Sequence, residues 1–214
     1  MTAEQAGELA RRTPPRATAY GERLERRMPT AKGSTLRATL AFVESAAGRA
    51  RMESVLDALE PALRERVTTA QATDEVPIDT LLTLWHAVDA ELGAESPRWI
   101  EESGAMSIEA FGVQLYGGIL RKASPMEFLT QSVSLFRLYY APGDMQVVEA
   151  DAGRAVLRLV GFDVADPLFC RRQTGGLGRA LVLAGGASPS VRHVRCTGEG
   201  DAFCEWELKW SAPG

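Results

Sequence analysis

All three cysteines of this 214-residue chain and one of its two histidines fall within 35 residues near the C-terminus, in the order Cys170, His193, Cys196, Cys204. The pattern is C-x22-H-x2-C-x7-C. Thiolate and imidazole are soft donors that suit Zn²⁺, whereas Mg²⁺ and Ca²⁺ prefer carboxylates and carbonyls. Four such ligands close a tetrahedral zinc site and leave no position for substrate or water. A site of that kind supplies no activity; it dictates which elements of the last third must meet. Two other readings stay open: buried free thiols in an ordinary core, and a Cys196–Cys204 disulfide across a tight hairpin. The disulfide requires an oxidising compartment, and the segment Met1–Arg12 lacks the apolar core of a signal peptide. One geometric objection bears on zinc. On an ideal strand His193 and Cys196 point to opposite faces, so a bulge or a strand end must bring both inward.

The rest of the chain supplies the frame. Residues 1–33 are polar, Arg-rich and broken by Pro14, Pro15 and Pro29, which reads as a flexible arm. From Ser34 to about Gly143 the hydrophobic period is helical. Ser34 is expected to cap a helix carrying Leu36, Leu40 and Val43, followed by a second over ARMESVLDAL. Pro77 opens a helix with a Leu81, Leu84, Trp85, Val88 stripe that stops at Gly93. A run from Pro97 is expected to break near Ser103-Gly104, and Ser124-Pro125 reads as an N-cap followed by proline at the first helical position. The pattern then changes. MQVVEA and RAVLRLV flank Asp151-Ala152-Gly153 as a hairpin, Asp166-Pro167 opens a helix, and SVRHVRC and AFCEWELKW form a second hairpin. In the last strand Cys204, Trp206, Leu208 and Trp210 alternate with polar neighbours, which places Cys204 on the buried face. The expected class is α+β: N-terminal helices packed on one four-stranded antiparallel sheet built as hairpin–helix–hairpin. It forms a single domain over 34–210 with a 211–214 tail.

In this frame Cys170 lies near the start of the helix opened by Asp166, where the partial positive charge of the helix N-terminus favours a thiolate. A metal on Cys170, Cys196 and Cys204 would staple that helix to the final hairpin.

The run C-x-G-x-G-D-x-x-C-E-W, from Cys196 to Trp206, together with the preceding Cys170 and His193, resembles the ending of the 4-vinyl reductase domain. The likeness covers Val164–Trp210, and from about Lys32 to Trp210 the chain is also similar to a paralogous myxobacterial family with the same ending. The resemblance implies the fold of the small TRAPP subunits and of the sensory domains of phenol-responsive NtrC-class activators. In those sensors zinc is held by cysteines and one acidic residue. The resemblance therefore puts Cys170, Cys196 and Cys204 on the cysteine positions and His193 on the acidic one, and it implies a small-molecule pocket between helices and sheet. No match to the polar pair that grips phenol is found.

Other chemistry has little support. Gly175-Gly176-Leu177-Gly178 lies inside a helix and is read as helix–sheet packing rather than a phosphate loop, and His86 as a surface or half-buried helix residue. There is no G-x-S-x-G elbow, and no catalytic residue is assigned. Aromatic residues of the helical half suggest the wall of an apolar cavity, with Tyr116, Phe128, Phe136 and Tyr140 as candidates. The formal charge of -4 gives no electrostatic support for nucleic acid, and no apolar run is long enough for a membrane span. The expectation is a cytoplasmic, non-enzymatic sensory or regulatory module with structural zinc. It would bind an apolar or aromatic small molecule and act through a protein partner or homodimer. The alternatives are a scaffold or dimerisation module without ligand, and a haem- or tetrapyrrole-associated protein.

Overall fold

The computed structural model describes residues 28–112 and 124–212. Strand β1 (Thr30–Lys32) leads into helices α1 (Gly33–Ala47), α2 (Arg49–Asp57) and α3 (Pro61–Thr69), strand β2 (Glu75–Pro77) and helix α4 (Ile78–Leu92). Helix α5 (Trp99–Met106) runs on into a π-helical turn, Ser107–Gly112. Helix α6 (Pro125–Tyr139), strand β3 (Tyr140–Ala141), the hairpin β4 (Asp144–Asp151) and β5 (Arg154–Val160), helix α7 (Pro167–Leu183), β6 (Ala187–Arg195) and β7 (Cys204–Ser211) complete the order.

The four-stranded sheet runs β4-β5-β7-β6, antiparallel throughout, and α6 and α7 pack on it. This is the α+β architecture expected, with one addition. A second, three-stranded sheet of order β2-β1-β3 ties residues 30–32 to 75–77 and 140–141. Residues 30–33, counted with the arm on sequence grounds, thus belong to β1 and the start of α1. Strands of two or three residues carry too little alternation to be recognised by period.

Local chemistry explains most element ends. Ser124 Oγ accepts from the Glu127 amide at 3.2 Å and Asp166 Oδ1 from the Leu168 amide at 2.8 Å, each followed by proline at the first helical position. Ser34, by contrast, is not a cap. It is buried one residue inside α1, whose Gly33 and Ser34 amides donate to Asp74 and Ala72 carbonyls instead. Nor does the chain break at Ser103-Gly104: both are buried inside α5, and the irregularity begins at Ser107. Helix α3 has no counterpart in the sequence reading because it buries only Val67 and shows no stripe.

In the core, Leu81, Leu84, Trp85 and Val88 of α4 are fully buried. Trp85 Nε1 donates to Thr39 Oγ1 at 3.0 Å, and Thr39 donates in turn to the Thr35 carbonyl at 3.0 Å. This chain satisfies two polar groups that burial would otherwise leave costly. Gly175 and Gly176 of α7 serve a helix–helix crossing, while Gly178 faces Val191 of the sheet. A Cβ on Gly175 would overlap the Glu101 carbonyl, and one on Gly104 the Arg172 carbonyl, so α5 and α7 meet backbone to backbone. The Arg171 guanidinium closes the crossing with two bonds of 2.9 Å to the Glu101 carboxylate.

Candidate metal centre and adjoining cavity

Three elements deliver the cysteine–histidine set. Asp166 fixes where α7 starts, so Cys170 faces inward from its first turns, 2% exposed. Cys204 opens β7 on the buried face, with Trp206 and Leu208 following it inward. Between Trp206 and Glu205 on β7 the pairing steps by one residue, while on β6 it steps from His193 to Arg195. Val194 is therefore the extra residue of a bulge and points out, 38% exposed. That bulge shifts the parity of β6, so His193 and Cys196 reach the same side. The turn beyond is built on Cys196: its amide donates to Asp201 Oδ2 at 2.8 Å, and its carbonyl accepts from the Glu199 and Asp201 amides at 3.0 and 3.1 Å. Gly200 completes the turn at φ 95°.

One ligand atom from each of Cys170, His193, Cys196 and Cys204 lies within 4.8 Å of the others. Cys170 Sγ and Cys204 Sγ are 3.6 Å apart. A tetrahedron with metal–sulfur bonds of about 2.3 Å has sulfur–sulfur edges of about 3.8 Å, so the spacing fits a four-coordinate soft metal. All three cysteines are free. His193 stacks on Trp206 with ring centroids 4.8 Å apart, and its buried Nε2 has no hydrogen-bond partner among the described residues.

The thiols do not ionise alike. The hydrogen bond from Cys170 holds Cys204 down at about 3, with help from His193 and from Thr197, whose amide and hydroxyl both sit 3.4 Å from Sγ. Donating that bond, together with burial, pushes Cys170 far above the usual thiol range. The expectation that Cys170 is the readily ionised thiol is thus corrected. Desolvation and a neighbouring thiolate outweigh the helix N-terminus, and the negative charge resides on Cys204. His86, half exposed on α4, bonds Asp166 Oδ2 through Nε2 at 2.7 Å and takes no part in the cluster.

A cavity of about 70 Å³ lies between α5, α6 and α7. Phe128, Phe136 and Tyr140 line it, with Met145 from β4. Tyr116 lies outside the described residues. Arg172 and Gln173 also line it, and sequence reasoning missed both. The signal was present: Arg172 stands three residues after Phe169 and four before Gly176, a charge in the apolar stripe of α7.

No protein-family profile matches the chain, and no curated protein matches it in sequence. Solved structures do. The Fe(II) unliganded H-NOX protein from K. algicida superposes with TM-score 0.65 at 13% identity, covering 84% of this chain and 96% of that one. A mutant of the T. tengcongensis H-NOX protein gives 0.60 at 15%, covering 85% and 98%. A structure described as modulating heme redox potential through protein-induced porphyrin distortion gives 0.60 at 15%, covering 86% and 96%. The chain has the H-NOX fold.

That likeness corrects one expectation. The chain was read as no enzyme, but the fold of haem proteins, one of them described by its heme redox potential, gives no ground for excluding reaction chemistry. Whether haem itself fits here is a separate matter. Haem iron is held by His, Cys, Met or Tyr. The cavity, as the described residues form it, is lined by neither histidine and none of the cysteines; Tyr139, Tyr140 and Met145 do line it, Tyr140 Oη accepting from Arg172, but 70 Å³ is far below the roughly 300 Å³ at which ligand pockets begin. The cavity does not fit a porphyrin, and the tetrapyrrole alternative meets these structures only at the level of the fold.

Proposed function

We propose that this chain is a sensory or regulatory module whose closing β-ribbon is clamped to α7 by one structural zinc ion. The ligands are Cys170, His193, Cys196 and Cys204, and the cavity between α5, α6 and α7 takes a small molecule whose binding is passed on by contact with a partner protein or a second copy. The observation that carries the reading is the convergence of four soft donors within 4.8 Å, from the consecutive elements α7, β6 and β7. Zinc suits three sulfurs and an imidazole, and the orphaned His193 Nε2 lacks a partner that a cation would supply. The resemblance of the terminal hairpin to 4-vinyl reductase domains supports the same ligand set. Among the described residues no helix is long and apolar enough to cross a membrane, consistent with the cytoplasmic setting we assign.

Structural zinc in small peptides contributes about 10–16 kcal/mol apparent, and a whole domain is typically stable by about 5–15 kcal/mol. Thermal denaturation with and without a strong chelator tests the clamp: the chelated protein melts at a much lower temperature, and added Zn²⁺ restores it. Unchanged melting of a preparation shown to be metal-free overturns the reading. A second reading, a scaffold whose pocket is filled by its own side chains, is favoured by the small cavity volume. It expects no small-molecule stabilisation at all.

A further inference from the structure

The cavity holds a charge with no acidic partner among the described residues. Arg172 is 7% exposed. Its Nη1 donates to Tyr140 Oη at 3.3 Å, and its guanidinium lies 5.3 Å from the Trp85 ring centroid. Neither Nε nor Nη2 has a partner among the described residues, and Nε2 of Gln173 has none either. A guanidinium cannot shed its proton to escape burial, and an unpaired buried cation is among the costliest groups a core can hold. Other partly buried arginines are paired: Arg171 with Glu101, and Arg158 with Glu205. No described lining residue is Asp or Glu, and residues 113–123 contain neither.

Three nitrogens without acceptors call for a group that only accepts, and the positive charge calls for an anion. The remaining wall, with Ile108, Phe128, Phe136, Met145 and Leu177, is apolar. A planar guanidinium presents two parallel N–H groups to a carboxylate. We propose that the cavity binds a compact monocarboxylate, its carboxylate on Arg172 and Gln173 and its hydrocarbon part against Phe128, Phe136 and Met145. At about 70 Å³ the space is less than half the roughly 150 Å³ engineered cavity that accepts benzene, so the acid is smaller than benzene, one of the propionate class. An inorganic anion answers the charge and wastes the apolar wall. This assignment rests on the pocket in the proposed function and is independent of the zinc clamp.

The test is calorimetric titration and thermal shift of the full-length, metal-loaded chain with propionate, its neutral counterpart propionamide, and inorganic phosphate. Propionate binds and raises the melting temperature with concentration. Propionamide and phosphate bind at least about tenfold more weakly, the worth of one charge-assisted bond pair. Arg172→Met removes the propionate response while leaving zinc content unchanged, and it melts no lower than wild type, because an apolar replacement relieves the buried charge. Should Arg172→Met fail to fold, Arg172→Lys keeps the charge but loses the fork, and propionate binding weakens again. Propionamide matching propionate overturns the anion assignment while leaving the pocket standing. Phosphate matching propionate overturns the monocarboxylate class. No response to propionate at millimolar concentration overturns the assignment outright, whatever the zinc content shows.

Discussion

Cys204 is where the charge of the cluster settles, because the Cys170 thiol and the amide and hydroxyl of Thr197 all lie within hydrogen-bonding reach of its sulfur. Cys170 and Cys204 thereby share one proton in the metal-free protein, and a metal binding there would displace it. The sign of the pH dependence follows. Cys204 has its folded pKa depressed to about 3, so its contribution to stability is present above the unfolded thiol value and is lost as pH falls through the folded one. Cys170 is raised, so its contribution is complete below the unfolded value, about 8.5, and is lost as pH rises beyond it. Thiolate ultraviolet absorbance of metal-free protein near neutral pH should therefore report one thiolate per chain. Cys204→Ser abolishes it, and Cys170→Ala, which removes the donor, shifts its titration upward. Two titrating thiols near the ordinary thiol value would contradict the shared proton. The glycines of α7 offer a second residue-scale test. Alanine normally gains up to about 1 kcal/mol over glycine inside a helix. At Gly178, where an added Cβ would have only Val191 at 3.9 Å, that gain is expected. At Gly175 the Glu101 carbonyl occupies the space, so Gly175→Ala should cost about 1–3 kcal/mol of overpacking instead. Denaturant melts of the two variants compare the signs directly.

At the scale of elements, caps and a bulge set the geometry of the site. The Ser-Pro and Asp-Pro starts of α6 and α7 were legible in the sequence because proline and a short acceptor side chain make a local signal that needs no tertiary context. Ser34 offered a similar signal and misled, since the amides at the head of α1 find carbonyls of the 72–74 turn, a long-range pairing no local pattern reveals. Parity required a bulge or a strand end between His193 and Cys196, and pairing along β6 shows the bulge at Val194. Deleting Val194 leaves His193 and Cys196 two residues apart, which regular alternation places on one face, so the deletion and Val194→Ala should both keep stoichiometric metal binding. Metal analysis of both proteins checks this, and loss of the metal in the deletion would contradict the parity role assigned to the bulge. The cap of α7 has a smaller, graded effect. Asp166→Ala should lower stability by about 1 kcal/mol, with Asp166→Asn retaining most of it, because the side chain holds the Leu168 amide at the start of the helix that carries Cys170. Equal losses in the two variants would show that the His86 contact, not the cap, is what matters.

Across the whole molecule, the helix-then-hairpin order and the four-stranded sheet followed from a change of hydrophobic period near residue 143. The second sheet did not, since strands as short as Tyr140–Ala141 exist only through their partners. The α5–α7 crossing was likewise hidden: glycines in a helix announce a close approach but not to what. The cavity wall was half legible, through aromatic residues at helical spacing, while the charge inside it was passed over because arginine is ordinarily a surface residue. What joins these levels is the cluster, which lies where α7, the end of β6 and the start of β7 meet. X-ray absorption at the zinc edge of the purified, metal-loaded protein reads that junction most directly. The expected spectrum is one zinc per chain with three sulfurs at about 2.3 Å and one nitrogen at about 2.0–2.1 Å. A spectrum dominated by oxygen scatterers, or unchanged in Cys170→Ser and Cys204→Ser, would contradict the clamp.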